Sequence, residues 1–122
     1  MSITIASRKQ KGRNLQNFIK DTLIKELDIN VKDIKSTPMG CQGCDIWMAN
    51  PARDKFPFGV EAKYQENLSI WKALEQCETN AIKEGLKPAL VFRRNRTIPW
   101  IAIKFEDFIK MQHTLNNKGD NI

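Results

Sequence analysis

Two short apolar runs, Asp45-Ile-Trp-Met-Ala49 and Phe58-Gly-Val-Glu-Ala-Lys-Tyr64, lie between stretches of helical periodicity and constrain the chain more than any other feature. Both are rich in β-branched or aromatic residues and bounded by Gly, Pro and Asn, the pattern of strands. On a strand alternate side chains share a face, so Glu61 and Lys63 point one way while Val60, Ala62 and Tyr64 point the other. If the strand opening at Asp45 lies beside the second run, two carboxylates and one ammonium converge. Such a cluster suits a divalent cation and the activation of a water.

Around these runs the elements alternate. Residues 7–27 predict an amphipathic helix with Ser7 as N-cap and Leu15, Phe18, Ile19, Leu23 and Leu27 as its apolar stripe. Arg8, Lys9, Lys11, Arg13, Lys20 and Lys25 make that helix basic. Residues 31–36 predict a first strand, followed by a loop through Pro38, Met39, Gly40 and Gly43; a polar turn over residues 50–54 joins the next two strands. A second helix is expected from Ser69 to Glu84, with Ile70, Trp71, Leu74, Cys77 and Ala81 inward and Gly85 ending it. Strands over Ala89–Phe92 and Pro99–Ile103 flank a basic turn, and a short helix at Glu106–Met111 precedes a polar tail over 116–122 expected to fray. The order αβββαββα implies an α/β (α+β) fold with a mixed sheet and helices on its faces, one domain over 1–115. Trp47, Trp71 and Trp100 fall in apolar patterns and read as core.

At 122 residues the chain has room for one core without disulfides. The 20 Lys and Arg against 14 Asp and Glu give a net charge of +6, which suits a polyanionic partner. No run approaches a membrane span, and the first residues pass straight into charge without a secretory leader, so a soluble intracellular protein is expected. The three cysteines argue for a reducing compartment. Cys41 and Cys44 have C-x-x-C spacing, but only Cys77 and the lone His113 remain as further soft ligands. A strand rather than a redox helix follows Cys44, so small residues in a tight turn is the favoured reading over a zinc-stabilised module.

Phosphodiester hydrolysis needs an activated water and a positive centre on the phosphate, which Mg²⁺ supplies. It binds carboxylate oxygens and keeps several waters, so Asp45 and Glu61 suffice, with the Ala62 carbonyl as a further ligand and Mn²⁺ as a substitute. Lys63 then orients or deprotonates the water and stabilises phosphate charge. Lys9, Lys11 and Arg13 are candidate DNA-backbone contacts, and Arg93, Arg94 and Arg96 are either further contacts of that kind or charges that discourage edge pairing of the sheet.

Asp45, a spacer, then Glu61-x-Lys63 within this element order resembles the PD-(D/E)xK nuclease superfamily over roughly residues 8–108. The resemblance implies a restriction-endonuclease-like core. Within the superfamily the chain looks most like small archaeal and phage Holliday-junction resolvases, whose N-terminal basic motif Lys11-Gly12-Arg13 resembles. Those proteins carry a Glu on the first helix; here Gln16 stands near that place, and Glu26 lies on another face. Gln76 resembles a supporting glutamine behind the Glu-x-Lys strand, with Gln65 and Glu66 as weaker candidates. The resemblance implies a Mg²⁺-dependent endonuclease acting on branched DNA as a homodimer in the cytoplasm of a bacterium or phage-infected cell. The alternatives are a nicking or restriction-type enzyme on linear duplex, and a DNA-binding subunit without activity.

Overall fold

The computed structural model describes residues 4–38 and 40–120, so the 1–3 segment, Met39 and the end of the tail lie outside the described residues. The first helix, α1 (Ile5–Leu27), begins earlier than expected. Its N-cap is Thr4, whose hydroxyl accepts the Ser7 N–H at 3.1 Å, so Ser7 sits inside the first turn. Leu15, Gln16 and Ile19 are buried on its inner face and Leu23 and Ile24 pack against them, whereas Phe18 faces outward. Residues 31–36 divide into a 3-10 turn (Val31–Asp33) and a short β1 (Ile34–Ser36), because the Asn30 side chain accepts from the Lys32 N–H and winds the backbone before it extends.

β1 pairs antiparallel with β2 (Ile46–Met48). The residues expected as a polar turn form a helix instead, α2 (Asn50–Lys55), with Pro51 in its first turn, where the missing N–H costs nothing. Arg53 fixes this helix in place: Nε donates to the Met48 carbonyl and a terminal nitrogen to the Glu84 carbonyl, each at 2.9 Å.

β3 (Phe58–Tyr64) has the bounds its sequence predicts. It runs parallel to β4 (Lys87–Arg93), with Glu61 opposite Leu90, and β4 runs antiparallel to β5 (Trp100–Ile103), so the sheet is mixed with order β3-β4-β5. The β1–β2 ribbon is a separate sheet that reaches β3 through one backbone bond, from the Asp45 N–H to the Val60 carbonyl at 2.9 Å. Between β3 and β4 runs α3 (Ile70–Lys83). Gly85, at φ +69°, ends it, with Leu86 N–H bonded to the Ala81 carbonyl and Gly85 N–H to that of Ile82.

The sheet has an apolar layer on each face. Ile46, Met48, Val60 and Ala89 join the α1 residues in one, and Ala73, Cys77 and Leu90 form the other beneath α3. Full burial of each Val, Leu, Ile or Met contributes about 1.5–3 kcal/mol. Gly59 sets how closely α3 approaches: an added Cβ would meet the Ala81 Cβ and the Cys44 Sγ at 2.8 Å each. The tryptophans are not core. Trp47, Trp71 and Trp100 are 39, 77 and 61 % exposed. β5 is an edge strand and Trp71 lies on the outer side of α3, so an apolar residue there meets solvent. The last helix, α4 (Phe105–Asp120), is longer than expected and takes in residues 116–120 of the anticipated tail. It makes little contact with the rest of the fold, and Asp107 is its buried residue. No helix among the described residues is long and apolar enough to cross a membrane.

Candidate active site

The loop before β2 delivers Asp45. Gly40 and Gly43 adopt φ +86° and +100°, a region costly for residues with a Cβ. Thr37 closes the loop, its N–H bonded to the Asp45 carbonyl and its hydroxyl to the Cys44 carbonyl, both at 2.8 Å. Asp45 is thereby laid along β3, and its Oδ2 accepts the Ala62 N–H at 2.7 Å. Successive backbone groups of a strand alternate edges, so Val60 and Ala62 address Asp45 while Glu61 and Lys63 bond towards β4. The Ala62 carbonyl thus emerges beside the Asp45 carboxylate.

Glu61 is 4 % exposed, and its Oε2 lies 3.4 Å from the Asn80 amide nitrogen on α3, a long hydrogen bond. Burial, then the Asp45 charge, push its carboxyl up to about 7, against the opposing pull of Asn80 and Lys63. Asp45 is raised by burial too, with the Ala62 N–H and then Lys63 pulling it down. Two crowded, desolvated carboxylates beside a carbonyl form a hard oxygen donor set that a hard divalent cation would relieve, so the residues present fit an ion such as Mg²⁺ or Mn²⁺. No group of three or more His, Cys, Asp or Glu side chains converges among the described residues. Cys41 is exposed, Cys44 is buried with its thiol pushed far up by burial, and neither has the ligand partners structural zinc needs.

Lys63 and Ala62 open onto a groove of about 590 Å³ that the carboxylates themselves do not line. Arg8, Lys9, Lys11 and Gly12 from the start of α1 form one wall, and Tyr64, Asn67 and Asn95 the other. Tyr64 lies between two cations, Lys11 Nζ 5.5 Å and the Arg93 guanidinium 4.8 Å from its ring centre. Lys11 Nζ and the Tyr64 hydroxyl both donate to Asn95 Oδ1, at 2.9 and 3.1 Å. This node ties the start of α1 to the basic turn.

The expected residues therefore divide. Asp45, Glu61, Ala62 and Lys63 come together, and Lys9 and Lys11 border the adjoining groove. Arg13 is exposed and bonds Gln10 outside the groove, and Arg94 and Arg96 are exposed on the turn. Gln16 is buried on the α1 face that packs against β1 and β3. Gln76 is exposed one helical turn before Asn80, and it is Asn80 that meets Glu61. Asn80, Asn95, Tyr64 and Arg8 were not anticipated. Asn80 had a signal in its spacing, four residues after Gln76 on the same helix face.

A family model described as "Phage putative PDDEXK endonuclease" matches residues 7–122. The chain belongs to this family of phage PD-(D/E)xK endonucleases. Among solved structures it is similar to Hjc of Archaeoglobus fulgidus, a Holliday junction resolvase from an archaeal hyperthermophile, with a TM-score of 0.51 and 17 % identity over 76 % of this chain and 72 % of that one. At that identity the likeness is one of fold, and it establishes the restriction-endonuclease-like core. A comparison with curated proteins gives no match.

Proposed function

We propose that the protein is a metal-dependent DNA endonuclease that cuts phosphodiesters at Asp45, Glu61 and Lys63. The observation that carries this reading is the pairing of half-buried Asp45 with buried Glu61, whose carboxyl is pushed up to about 7, opening through Lys63 onto a basic groove. Asp45, Glu61 and the Ala62 carbonyl would hold Mg²⁺, or Mn²⁺ in its place; when bound, it polarises the phosphate and acidifies water. Asp45 keeps its position through the Ala62 N–H, leaving its other oxygen to bind. Glu61 must be ionised to act as a ligand, and Asn80 steadies its carboxylate. Lys63 orients the attacking water towards phosphorus and offsets charge building on the phosphate oxygens. Gln16 supports the site from α1 and Asn80, in place of the exposed Gln76, from α3, and Lys9, Lys11, Arg13 and the Arg93–Arg96 turn hold the DNA backbone.

Branched DNA, the Holliday junction in particular, is the substrate this reading favours, on the fold likeness to a resolvase. A protein with one site cuts two strands symmetrically only as a pair, so the working unit is a homodimer in the cytoplasm of the cell holding the DNA. The α4 helix supports pairing: Phe105, Phe108, Ile109, Met111 and Leu115 are 41–79 % exposed on a helix that makes little contact with the rest of the fold.

Labelled four-way junction, flap, linear duplex and single strand, incubated with and without Mg²⁺ beside Lys63→Ala, test the reading. Paired Mg²⁺-dependent cuts confined to the junction and lost in the variant are expected. Cutting of linear duplex would replace the substrate and keep the mechanism, and no cutting with any metal would leave a DNA-binding subunit of the same fold.

A further inference from the structure

Beyond the catalytic groove lies a second one of about 450 Å³ at the same end of the sheet. Leu68, Ile70, Phe92 and Trp100 form its apolar walls, with Arg93 and Arg94 at its edge. We propose that this groove receives one unpaired nucleobase of the DNA, stacked against Trp100, while its phosphate is held by Arg94 at the groove's edge. The inference rests on the nuclease reading and adds to it a site that selects branched or distorted DNA over regular duplex.

Three independent observations point to this ligand. Trp100 is 61 % exposed on the edge strand, so its ring offers a flat apolar face that the core does not use. Arg94 is exposed at the edge of the groove and supplies a cation for the phosphate of that nucleotide. Gln65 and Glu66 line both grooves, so a strand lying along Lys9 and Lys11 reaches the second groove without leaving the protein surface. At the shared wall Gln65 offers an amide and Glu66 a carboxylate, acceptors suited to an exocyclic amino group of a base. The volume accommodates a base and its sugar with room for water.

A second copy of the chain is the competing occupant, but the groove is a poor match for it. β5 enters at Trp100, opposite Phe92, and leaves at Ile103, opposite Ala89. The apolar α4 therefore starts from the far end of β5. The cations bordering the groove call for an anion, which a copy with a net charge of +6 supplies poorly.

The test uses the full chain carrying Glu61→Gln, which blocks cutting, and fluorescence anisotropy on duplexes with a one-nucleotide bulge. The bulge holds either a base or an abasic site. The base-containing bulge is expected to bind about tenfold or more tightly than the abasic one. Trp100→Ala should erase that difference and Trp100→Phe should keep most of it. A melting curve checks that both variants fold. Equal affinity for base and abasic bulges, or a preference that survives Trp100→Ala, overturns the proposal while leaving the nuclease reading intact. An equal loss on both DNAs with a shift from dimer to monomer in sedimentation overturns it in favour of a second copy. Absence of binding to any DNA would remove the nuclease reading, and the proposal with it.

Discussion

Burial and the neighbouring Asp45 push the Glu61 carboxyl up to about 7 from an ordinary 4.5, and this has a measurable consequence for stability. The folded state holds a proton there that the unfolded chain has already lost. The contribution is fully present below pH 4.5 and is lost as pH rises through about 7. Metal-free protein should therefore lose thermal stability across that interval, and Mg²⁺ should restore it above pH 7. Glu61→Gln should flatten the profile and raise metal-free stability at pH 8 by roughly 1–2 kcal/mol after solvent screening, while abolishing cleavage. Melting curves in EDTA against pH test this, and a wild-type-like slope in the variant would remove Glu61 as the cause. Asn80→Ala should lower cleavage by about 10- to 100-fold with the fold retained, as loss of a group orienting a metal ligand does. Single-turnover assays against Mg²⁺ concentration check it. Glu61 and Lys63 were legible as one face because the two-residue strand period is local, whereas Asp45 joined them on the expectation that its strand lies beside theirs. Asn80 was not legible, because a helix-to-sheet contact is decided by how closely two distant elements pack.

Among the elements, α3 governs the site although it carries none of the expected ligands. Gly59 lets it approach β3 until Ala81 and Cys44 fill the space a side chain would take. Gly59→Ala should cost about 1–3 kcal/mol through overpacking, read as a lower urea midpoint, and should weaken cleavage by moving Asn80 away from Glu61. An unchanged midpoint would mean that α3 shifts freely. The bounds of β3 were readable because alternation and flanking Pro57 and Gln65 mark its ends. The segment at 50–55 was misread because Asn, Pro and Asp are equally at home in a turn and in the first turn of a helix. What tipped it to helix was Arg53, tied to carbonyls at Met48 and Glu84.

At the scale of the molecule, the net charge of +6 is not spread evenly: Arg8, Lys9 and Lys11 edge the groove beside Lys63, and Arg93 and Arg94 the next. Arg94→Ala should weaken DNA binding and reduce the slope of log affinity against log salt by about 1. An unchanged slope in a salt titration would take the turn out of the interface. Phe108→Glu on α4 should convert a dimer into a monomer in sedimentation; a variant that still pairs would move the contact elsewhere. The sequence by itself determined most element types, with the helix at 50–55 as the exception, and the shared strand face of Glu61 and Lys63, since periodicity acts over a few residues. Only the tertiary structure decided which apolar residues stay in solvent, that Asn80 meets Glu61, and that Lys11, Tyr64, Arg93 and Asn95 form one node. These depend on which strand is the edge and how helices settle on the sheet, and both follow from the packing of segments far apart in the chain.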